Sequence, residues 1–553
     1  MKKLLYLFLF ISLCSFGQTE DAWVFLKDKP SAATILENPL TILSPKALER
    51  REIHNISLDE KDVPIHTAYY NQLKNEGNIV VLGKSKWLNA IHIQGTVTQI
   101  NGLPPNFPFI GHIEFANKSL NTDAKKRIKK IVPNHLNKFA NHKTDFNYGS
   151  ADNQIKMLKG DVLHQQGLTG EGQIIAVIDA GFPNVNTLEA FKRIRDNNQI
   201  LGGYNFADRN DNFYSRNNHG THVLSTIAGY LEDEFVGTAP DAKFYLFISE
   251  IAETETVLEE TLWVEAAERA DSLGVNVINT SLGYTTYDNP NYSHSYEDMD
   301  GKTTFISRGA EIAASRGIFV VNSVGNSGSD SWKYIGAPAD APSVIAVGAV
   351  NASGTIASFS SFGPTDDGRI KPEILGQGAG TSIINFSTGE RSTSNGTSFS
   401  SPIMAGLIAC LNGISNNTLK STVNYDYITM NLKESVYKSA DRFENPTDQY
   451  GYGIPDFEKA LNIYLPLIAS IDEFNMSHLK VSPNPVTTNF SIVNLNNNFS
   501  SYSLEVFNIL GKKVLSISNL TSNEIDISHL ENGLYLLKVT RGHQQKIIKL
   551  IKK

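Results

Sequence analysis

Cysteine is nearly absent from this chain. Its 553 residues include only Cys14 and Cys410. Cys14 follows an apolar N-terminal run that we expect to be removed on export, which would leave Cys410 alone and exclude an intrachain disulfide. An exported chain without disulfides must be stabilised by core packing or by bound metal.

Long apolar runs and an excess of basic residues are also missing. The run at residues 4–13 is too short to span a bilayer comfortably, and no later segment is apolar and long enough to do so. The net charge of −8 gives no indication of nucleic-acid binding. The sequence therefore predicts neither a transmembrane span nor a nucleic-acid partner.

The composition that remains is typical of an exported protein with several globular domains. The chain is 41% hydrophobic and 19% charged, and it is too long for one ordinary domain. Lys2 and Lys3 precede the apolar run, and Ser-Phe-Gly follows it, so residues 1–17 are predicted to be a secretory signal peptide. A lipid anchor on Cys14 is disfavoured because Leu13 is bulky where such signals need a small residue.

Residues 18–145 are predicted to form a separate α+β unit. Ser44 is a good N-cap, and Pro45 suits the first position of the helix that follows it. The unit ends in a basic stretch, residues 125–143, which is either a solvated linker or the end of a removable segment. Strand character is seen at residues 23–26, 79–82 and 90–93.

Residues 146–465 alternate continuous apolar runs with helical stretches. Such runs, separated by helices, favour a parallel sheet that is buried on both faces and covered by helices, which is an α/β fold. The clearest strands are residues 174–178, 275–279, 319–323 and 344–347.

Residues 475–553 are predicted to be a small all-β sandwich. Pro483-Asn484-Pro485 opens the unit as a linker or turn, and Asn532-Gly533 separates two of its strands. The predicted strands are residues 502–508, 513–517, 524–527 and 534–539.

Three side chains suited to one reaction lie far apart in the chain: Asp179, His219 and Ser398. A serine hydroxyl needs a base beside it, a histidine can supply that base, and a carboxylate can fix the tautomer of the histidine. Asp179 ends an apolar strand, where parallel sheets place their ligands. Ser398 precedes a helix-like run, and a helix N-terminus favours an oxyanion.

Each of these residues also has a simpler structural interpretation. A lone Asp after a strand is commonly a turn or a cap, and Ser398 could be only an N-cap. His222 competes with His219 for the role of base. A zinc site on the two histidines is disfavoured, because the helical zinc motif needs them four residues apart with a glutamate between.

Together, in the order Asp, His, Ser, the three segments resemble the subtilisin-like serine proteases, or subtilases. The matching stretches read Ile-Asp-Ala-Gly, Asn-His-Gly-Thr-His-Val and Asn-Gly-Thr-Ser-Phe-Ser-Ser-Pro. The resemblance implies that Asp179, His219 and Ser398 form the catalytic triad, with Gly220 allowing close backbone approach beside the base. One departure is Ala180, where subtilases usually carry Thr or Ser.

The same resemblance implies further site residues. Asn326 would donate to the oxyanion together with the Ser398 N–H, and the backbone of Ser281, Leu282 and Gly283 would pair with the substrate as an extra strand. We expect the loops at residues 254–258 and 284–304 to shape the specificity pockets.

The outer units resemble known modules as well. The N-terminal unit is placed like a subtilase propeptide, which assists folding, inhibits the enzyme and is cut away, here between Asn141 and Gly149. An ordinary binding domain is the alternative. The C-terminal unit resembles the sorting domain of the type IX secretion system, which implies export through the periplasm and outer membrane of a Gram-negative cell. An adhesive β domain is the alternative there.

These observations lead to one functional hypothesis and two rivals. The hypothesis is a secreted or cell-surface serine endopeptidase that acts on proteins or peptides, engages the type IX machinery and needs no cofactor for catalysis. Structural calcium at Asp298 and Asp300 beside Gly301 is considered, although the EF-hand pattern is absent and a hydrated loop is favoured. The rivals are a catalytically silent surface adhesin and a processing protease with few partners.

Overall fold

The computed structural model describes residues 18–121, 146–418, 426–477, 479–493, 502–508, 512–541 and 544–553. The predicted signal peptide at residues 1–17 and the basic stretch at 125–143 lie outside the described residues.

The N-terminal unit is a four-stranded antiparallel sheet with short helices, in the order β2-β3-β1-β4. The predicted cap is confirmed, since the Ser44 hydroxyl accepts the Ala47 N–H at 3.1 Å and Pro45 begins the helix. The elements are β1 (Thr19–Leu26), α1 (Ala32–Leu36), α2 (Pro45–Ile53), α3 (Thr67–Lys74), β2 (Val80–Ser85), β3 (Ala90–Thr96), α4 (Val97–Asn101), α5 (Leu103–Asn106) and β4 (Ile110–Phe115).

The middle of the chain contains a seven-stranded parallel sheet, so the predicted α/β class is confirmed. The sheet order is β13-β12-β11-β10-β5-β9-β6. Its elements are α6 (Asp152–Lys156), α7 (Gly160–Gln165), β5 (Ile174–Asp179), α8 (Lys192–Asp196), β6 (Ile200–Asn205), α9 (His219–Ala228), β7 (Tyr230–Leu231), β8 (Phe235–Val236), β9 (Lys243–Ile248), α10 (Leu258–Leu273), β10 (Val277–Thr280), α11 (Phe305–Ser315), β11 (Phe319–Ser323), β12 (Ile345–Val350), β13 (Ile374–Gln377), β14 (Thr381–Ile384), β15 (Arg391–Ser394), α12 (Thr397–Thr418), α13 (Asp426–Ser439) and α14 (Phe457–Ser477).

Two apolar cores lie on opposite faces of this sheet. On one face, α12 contributes Ile403, Met404 and Leu407. The other face is covered by α10 and α11. Because the central strands β5, β9, β10 and β11 have a core on both sides, continuous apolar runs mark them well. Contrary to the expectation from sequence, the stretch Thr397–Ile414 of α12 is long and apolar enough to cross a membrane by length and composition. However, 94% of it is buried inside the protein, as a core helix is.

The N-terminal unit shares the second core with the middle domain. Trp23 of β1 stacks on Phe305 of α11 with ring centroids 4.9 Å apart, and its indole N–H donates to Thr261 of α10 at 2.9 Å. Two arginines of α2, Arg50 and Arg51, form buried ion pairs with Asp271 of α10. The contact is therefore both apolar and ionic.

The C-terminal region is all-β, as predicted. It has a three-stranded sheet, β16-β17-β20, and a four-stranded sheet, β19-β18-β21-β22, both antiparallel. Apolar side chains of both sheets, such as Phe490 and Leu537, belong to one core. The strands are β16 (Lys480–Ser482), β17 (Asn489–Val493), β18 (Ser503–Asn508), β19 (Lys513–Ile517), β20 (Glu524–Asp526), β21 (Gly533–Arg541) and β22 (Gln544–Lys552).

Candidate active site

The first two predicted site residues meet at the carboxyl edge of the parallel sheet. Strand β5 ends on Asp179 and helix α9 begins on His219, and Oδ1 of Asp179 lies 2.7 Å from Nδ1 of His219. A carboxylate only accepts, so Nδ1 carries the proton and Nε2 is left as the acceptor. This is the tautomer that a general base needs.

The close contact depends on a glycine beside the histidine. A Cβ added to Gly220 would lie 2.5 Å from the carbonyl oxygen of Gly181 and 3.0 Å from the Cβ of Asp179. Any larger residue would therefore push helix α9 away from the end of β5.

The environment of His219 favours its charged form. Burial lowers the pKa of His219, but the charge of Asp179 and the hydrogen bond to it outweigh that effect, so the pKa lies above the ordinary 6.5. The carboxylate thus supports an imidazolium that forms when the histidine accepts a proton.

Ser398 lies in the first turn of α12 and is 8% exposed. Its hydroxyl donates to the carbonyl oxygen of Ser281 at 3.3 Å, and the Ser281 hydroxyl donates back to the Ser398 carbonyl at 2.9 Å. Among the hydrogen bonds of the described residues none joins Ser398 to His219. The structure thus brings the Ser398 hydroxyl to the backbone of Ser281.

The side-chain amide of Asn326 is oriented by Thr397, the residue that precedes Ser398. Its Oδ1 accepts both the backbone N–H of Thr397 at 2.9 Å and the Thr397 hydroxyl at 3.0 Å. Since two donors fix the oxygen, the amide nitrogen Nδ2 is left to donate elsewhere. A Cβ on Gly396 would be 3.7 Å from Nδ2, so this donor lies beside the turn that carries Ser398.

The segment Ser281–Leu282–Gly283 extends from the end of β10. The Leu282 carbonyl is held by Nδ2 of Asn322 at 3.1 Å. Backbone groups alternate in direction along an extended chain, so the groups of Ser281 and Gly283 point the other way, and Gly283 is exposed. An extended peptide can pair with that edge.

Residues 170–453, just over half of the chain, match the sequence model described as the Subtilase family. The chain belongs to the Subtilase family. The flanking units match two further models. Residues 21–131 match the Peptidase S8 propeptide domain of Bacteroidota, and residues 480–553 match the secretion system C-terminal sorting domain.

Curated relatives agree with this assignment. Subtilisin NAT of Bacillus subtilis subsp. natto is 32% identical over 287 residues, which cover 49% of this subtilase and 65% of the relative. Subtilisin of Bacillus pumilus is 32% identical over 287 residues and is covered to 90% of its length. The chain thus spans slightly less than two thirds of the first relative and most of the second.

Ala180, which stands where subtilases usually carry Thr or Ser, follows a carboxylate with one unsatisfied oxygen. Oδ1 of Asp179 accepts from His219 and from the Ala180 N–H at 2.7 Å. Oδ2 is buried and has no hydrogen-bond partner among the described residues. A hydroxyl on residue 180 is the group that the family pattern would place nearby.

His222, the alternative candidate for the base, contacts Phe386. Nε2 of His222 accepts the backbone N–H of Phe386 at 3.3 Å, and the two rings form a T-shaped pair. Burial, followed by the charge of His219, lowers the pKa of His222. The structure therefore brings Asp179 to His219 and leaves His222 in a packing role.

The candidate calcium residues are engaged in local contacts. Asp298 forms an ion pair with Lys118 of the N-terminal unit, and Asp300 accepts the N–H groups of Lys302 and Thr303 at 2.8 Å each. Within the described residues no group of three or more His, Cys, Asp or Glu side chains could hold a metal. Calcium stays a prediction.

Sequence reasoning missed a chain of hydrogen bonds that leads to Ser398. The Ser401 hydroxyl donates to Oδ1 of Asn279 at 3.1 Å, and Nδ2 of Asn279 donates to the Ser281 hydroxyl at 3.3 Å, which continues to Ser398. All of these residues stand in segments singled out by the family resemblance, but only the fold shows that they touch.

Proposed function

We propose that this subtilase is a secreted serine endopeptidase. The observation that carries the proposal is the 2.7 Å contact between buried Asp179 and Nδ1 of His219, at the sheet edge where Ser398 and Asn326 also lie.

The first step is nucleophilic attack by Ser398. Its hydroxyl leaves the Ser281 carbonyl and passes its proton to Nε2 of His219 as the oxygen bonds to the peptide carbonyl carbon. Asp179 holds the imidazolium in place. His219 then gives the proton to the leaving amine, and water hydrolyses the acyl-enzyme by the same route in reverse.

The oxyanion that forms during nucleophilic attack must be stabilised by hydrogen-bond donors. Nδ2 of Asn326 is one, since Thr397 has fixed the oxygen end of that amide. The backbone N–H of Ser398 is the second, because N–H groups in the first turn of a helix lack intrahelical partners. No metal or organic cofactor has a part in these steps.

The outer units set where and when the site acts. We propose that the N-terminal unit keeps the enzyme inactive until it is cut away between Asn141 and Gly149, and that the sorting domain directs the chain through the periplasm and outer membrane of a Gram-negative cell by the type IX machinery. We propose the domain limits 1–17, 18–145, 146–465 and 475–553 for the signal peptide, the propeptide-like domain, the peptidase domain and the sorting domain.

The test is Ser398→Ala in the full chain, with a denatured protein as substrate. Hydrolysis is expected to fall by the factor known for subtilisin, about 10⁶ in turnover. Ser400→Ala, which removes a hydroxyl from the same helical turn, is the control and keeps the activity. Hydrolysis at the wild-type rate by Ser398→Ala would refute the assignment.

A fluorophosphonate probe separates the enzyme from its rival. Labelling confined to Ser398 supports the endopeptidase. Correctly processed protein that takes up no label would instead support a catalytically silent adhesin on a subtilase scaffold. A processing protease would label as well, and would be recognised by cleavage of a few substrates only.

A further inference from the structure

The four-stranded sheet of the C-terminal sorting domain has an inward and an outward face. Tyr535, Leu537 and Val539 of β21 belong to the core of this domain and are at most 7% exposed. Leu550 of the neighbouring strand β22 is fully buried in the same core. Because side chains alternate along a strand, the residues between these positions lie on the outward face.

The outward face of β21 and β22 is apolar although it is exposed. Four large apolar side chains there are between 37% and 61% exposed: Leu534, Leu536, Ile547 and Ile551. Leu534 pairs directly with Ile551 across the two strands, so their side chains are neighbours on one face. The four therefore form one patch, and an exposed apolar patch is typical of a surface that binds a partner.

Two lysines stand among these apolar side chains. Lys549 pairs with Leu536, and Lys538 pairs with Ile547. Lys538 lies 3.5 Å from the carboxylate of Glu505 on β18, which partly balances its charge. Lys549 is exposed and belongs to none of the ion pairs among the described residues. An unbalanced positive charge is therefore left within the apolar patch.

The sorting domain as a whole is also basic. Residues 480–553 contain nine Lys and Arg against four Asp and Glu, a net charge of +5, whereas the full chain has a net charge of −8. The rest of the chain is therefore acidic, and the domain that carries the apolar patch has the opposite sign. A partner that complements this domain is negatively charged.

The composition of the face favours a lipid surface over a protein. Interfaces between proteins are enriched in Tyr, Trp, Met and Arg and depleted of Lys. Leucine and isoleucine beside lysine are instead typical of surfaces that lie on membranes, because a lysine stem can lie along apolar groups while its ammonium stays among the headgroups. A second copy of the chain is disfavoured, since a symmetric contact would bring like charges together.

We propose that this outward face binds the surface of a bilayer that contains anionic lipids. The β21–β22 face consists of Leu534, Leu536, Lys538, Ile547, Lys549 and Ile551. Its apolar side chains enter the boundary between headgroups and acyl chains, and its lysines pair with lipid phosphates. This binding is peripheral and involves no catalytic step, so it is independent of the proposed endopeptidase activity.

The test is flotation of the full-length protein with lipid vesicles. A Ser398→Ala background prevents self-cleavage and keeps the sorting domain attached. One set of vesicles contains phosphatidylcholine alone, and the other contains equal parts of phosphatidylcholine and phosphatidylglycerol. We expect the partition coefficient to be about tenfold or more higher for the anionic vesicles, and to fall as the salt concentration rises.

Two variants test the two components of the face. Leu536→Thr/Ile547→Thr removes apolar surface but keeps a residue type that suits strands, and it should lower partition into anionic vesicles about tenfold. Lys549→Gln should lower it about fivefold. Val493→Thr is the matched control, because Val493 is 38% exposed on β17 in the other sheet, and it should bind as the parent protein does. Thermal unfolding of each variant checks that the fold is retained.

Several results would overturn the inference. Equal partition of the parent protein into neutral and anionic vesicles is one, and absence of partition into either is another. A folded double variant that binds as well as the parent would also overturn it. Flotation with protein-containing outer-membrane fragments but not with pure lipid would identify a protein partner instead. A dimer that the double variant abolishes, found in place of lipid binding, would identify a second copy of the chain.

Discussion

The two carboxylate oxygens of Asp179 accept different numbers of hydrogen bonds. Oδ1 accepts two hydrogen bonds, from His219 and from the Ala180 N–H, while the buried Oδ2 accepts none from the described residues. The contact between Asp179 and His219 therefore depends on one oxygen. A change in this contact should be detected as a change in the pKa of His219.

We predict that kcat/KM rises with pH through a midpoint above 6.5. The base must be neutral to accept the Ser398 proton, and Asp179 raises the pKa of His219, so activity is lost as pH falls through that raised pKa. Asp179→Asn leaves burial as the main influence, so the midpoint should move below 6.5, and turnover should fall about 10⁴-fold. The measurement is a pH profile with a peptide substrate.

His222→Gln is the control for this profile. Glutamine can still accept the Phe386 N–H that His222 accepts now. The midpoint should stay where it is in the wild type. A midpoint that shifts with His222→Gln and not with Asp179→Asn would assign the base to the other histidine.

The amide of Asn326 gives a second prediction. Asn326→Leu should lower turnover about 10²–10³-fold with little change in KM, a magnitude taken from subtilisin, because the donor acts on the oxyanion and not on the bound substrate. Thr397→Val removes one of the two donors that orient the amide and should cost less. A loss seen mainly in KM would contradict the oxyanion role.

The junction of β5 and α9 shows how an element positions chemistry. Glycine at position 220 lets the helix begin against the end of the strand. Gly220→Ala should separate His219 from Asp179, abolish most activity and destabilise the fold by about 1–3 kcal/mol through overpacking. Thermal unfolding and peptide hydrolysis measure the two effects.

Gly413 in α12, unlike Gly220, has room for a larger side chain. An added Cβ there meets nothing closer than the Glu171 carbonyl at 4.0 Å. Alanine should therefore stabilise the helix by about 0.5–1 kcal/mol without affecting hydrolysis. Equal effects of the two substitutions would show that close packing at Gly220 is not what matters.

The elements that sequence predicts well are those whose pattern is local. Strand β11 was predicted at residues 319–323 and is found at Phe319–Ser323. Strand β10 begins two residues later than predicted, because the Val275 N–H is used by the Ala270 carbonyl at the end of α10. A helix cap of this kind is not visible in an apolar run.

The candidate site likewise has features that local sequence predicts and contacts that only the fold reveals. Family resemblance predicts Asp179, His219 and Ser398 as site residues, since each lies in a recognisable segment. It did not indicate that the Ser398 hydroxyl turns to Ser281, nor that the Ser401 hydroxyl donates to Asn279. These are contacts between segments that are distant in sequence, and no spacing rule encodes them.

A buried ionic cluster joins the N-terminal unit to α10 of the middle domain. Asp271 is fully buried between Arg50 and Arg51. Asp271→Ala would leave two buried guanidinium groups without this partner, so we predict that docking of the unit is weakened by about 3–5 kcal/mol. Chemical denaturation in a Ser398→Ala background, which prevents self-cleavage, measures the loss.

An exposed ion pair on α2, the helix that carries Arg50 and Arg51, provides the comparison. The side chains of Lys46 and Glu49 are 65% and 39% exposed. Glu49→Ala should change stability by less than about 1 kcal/mol. Equal losses for Asp271→Ala and Glu49→Ala would show that burial of the cluster contributes nothing to docking.

The interface between the N-terminal unit and α10 is rich in carboxylates. Glu268 accepts hydrogen bonds from Ser85 and from the Trp87 N–H, and Glu265 accepts the Lys84 N–H. When the two units part, these groups return to water and recover hydration that burial had denied them. The face of the middle domain exposed in this way would therefore carry hydrated carboxylates beside the apolar surface that Trp23 had covered.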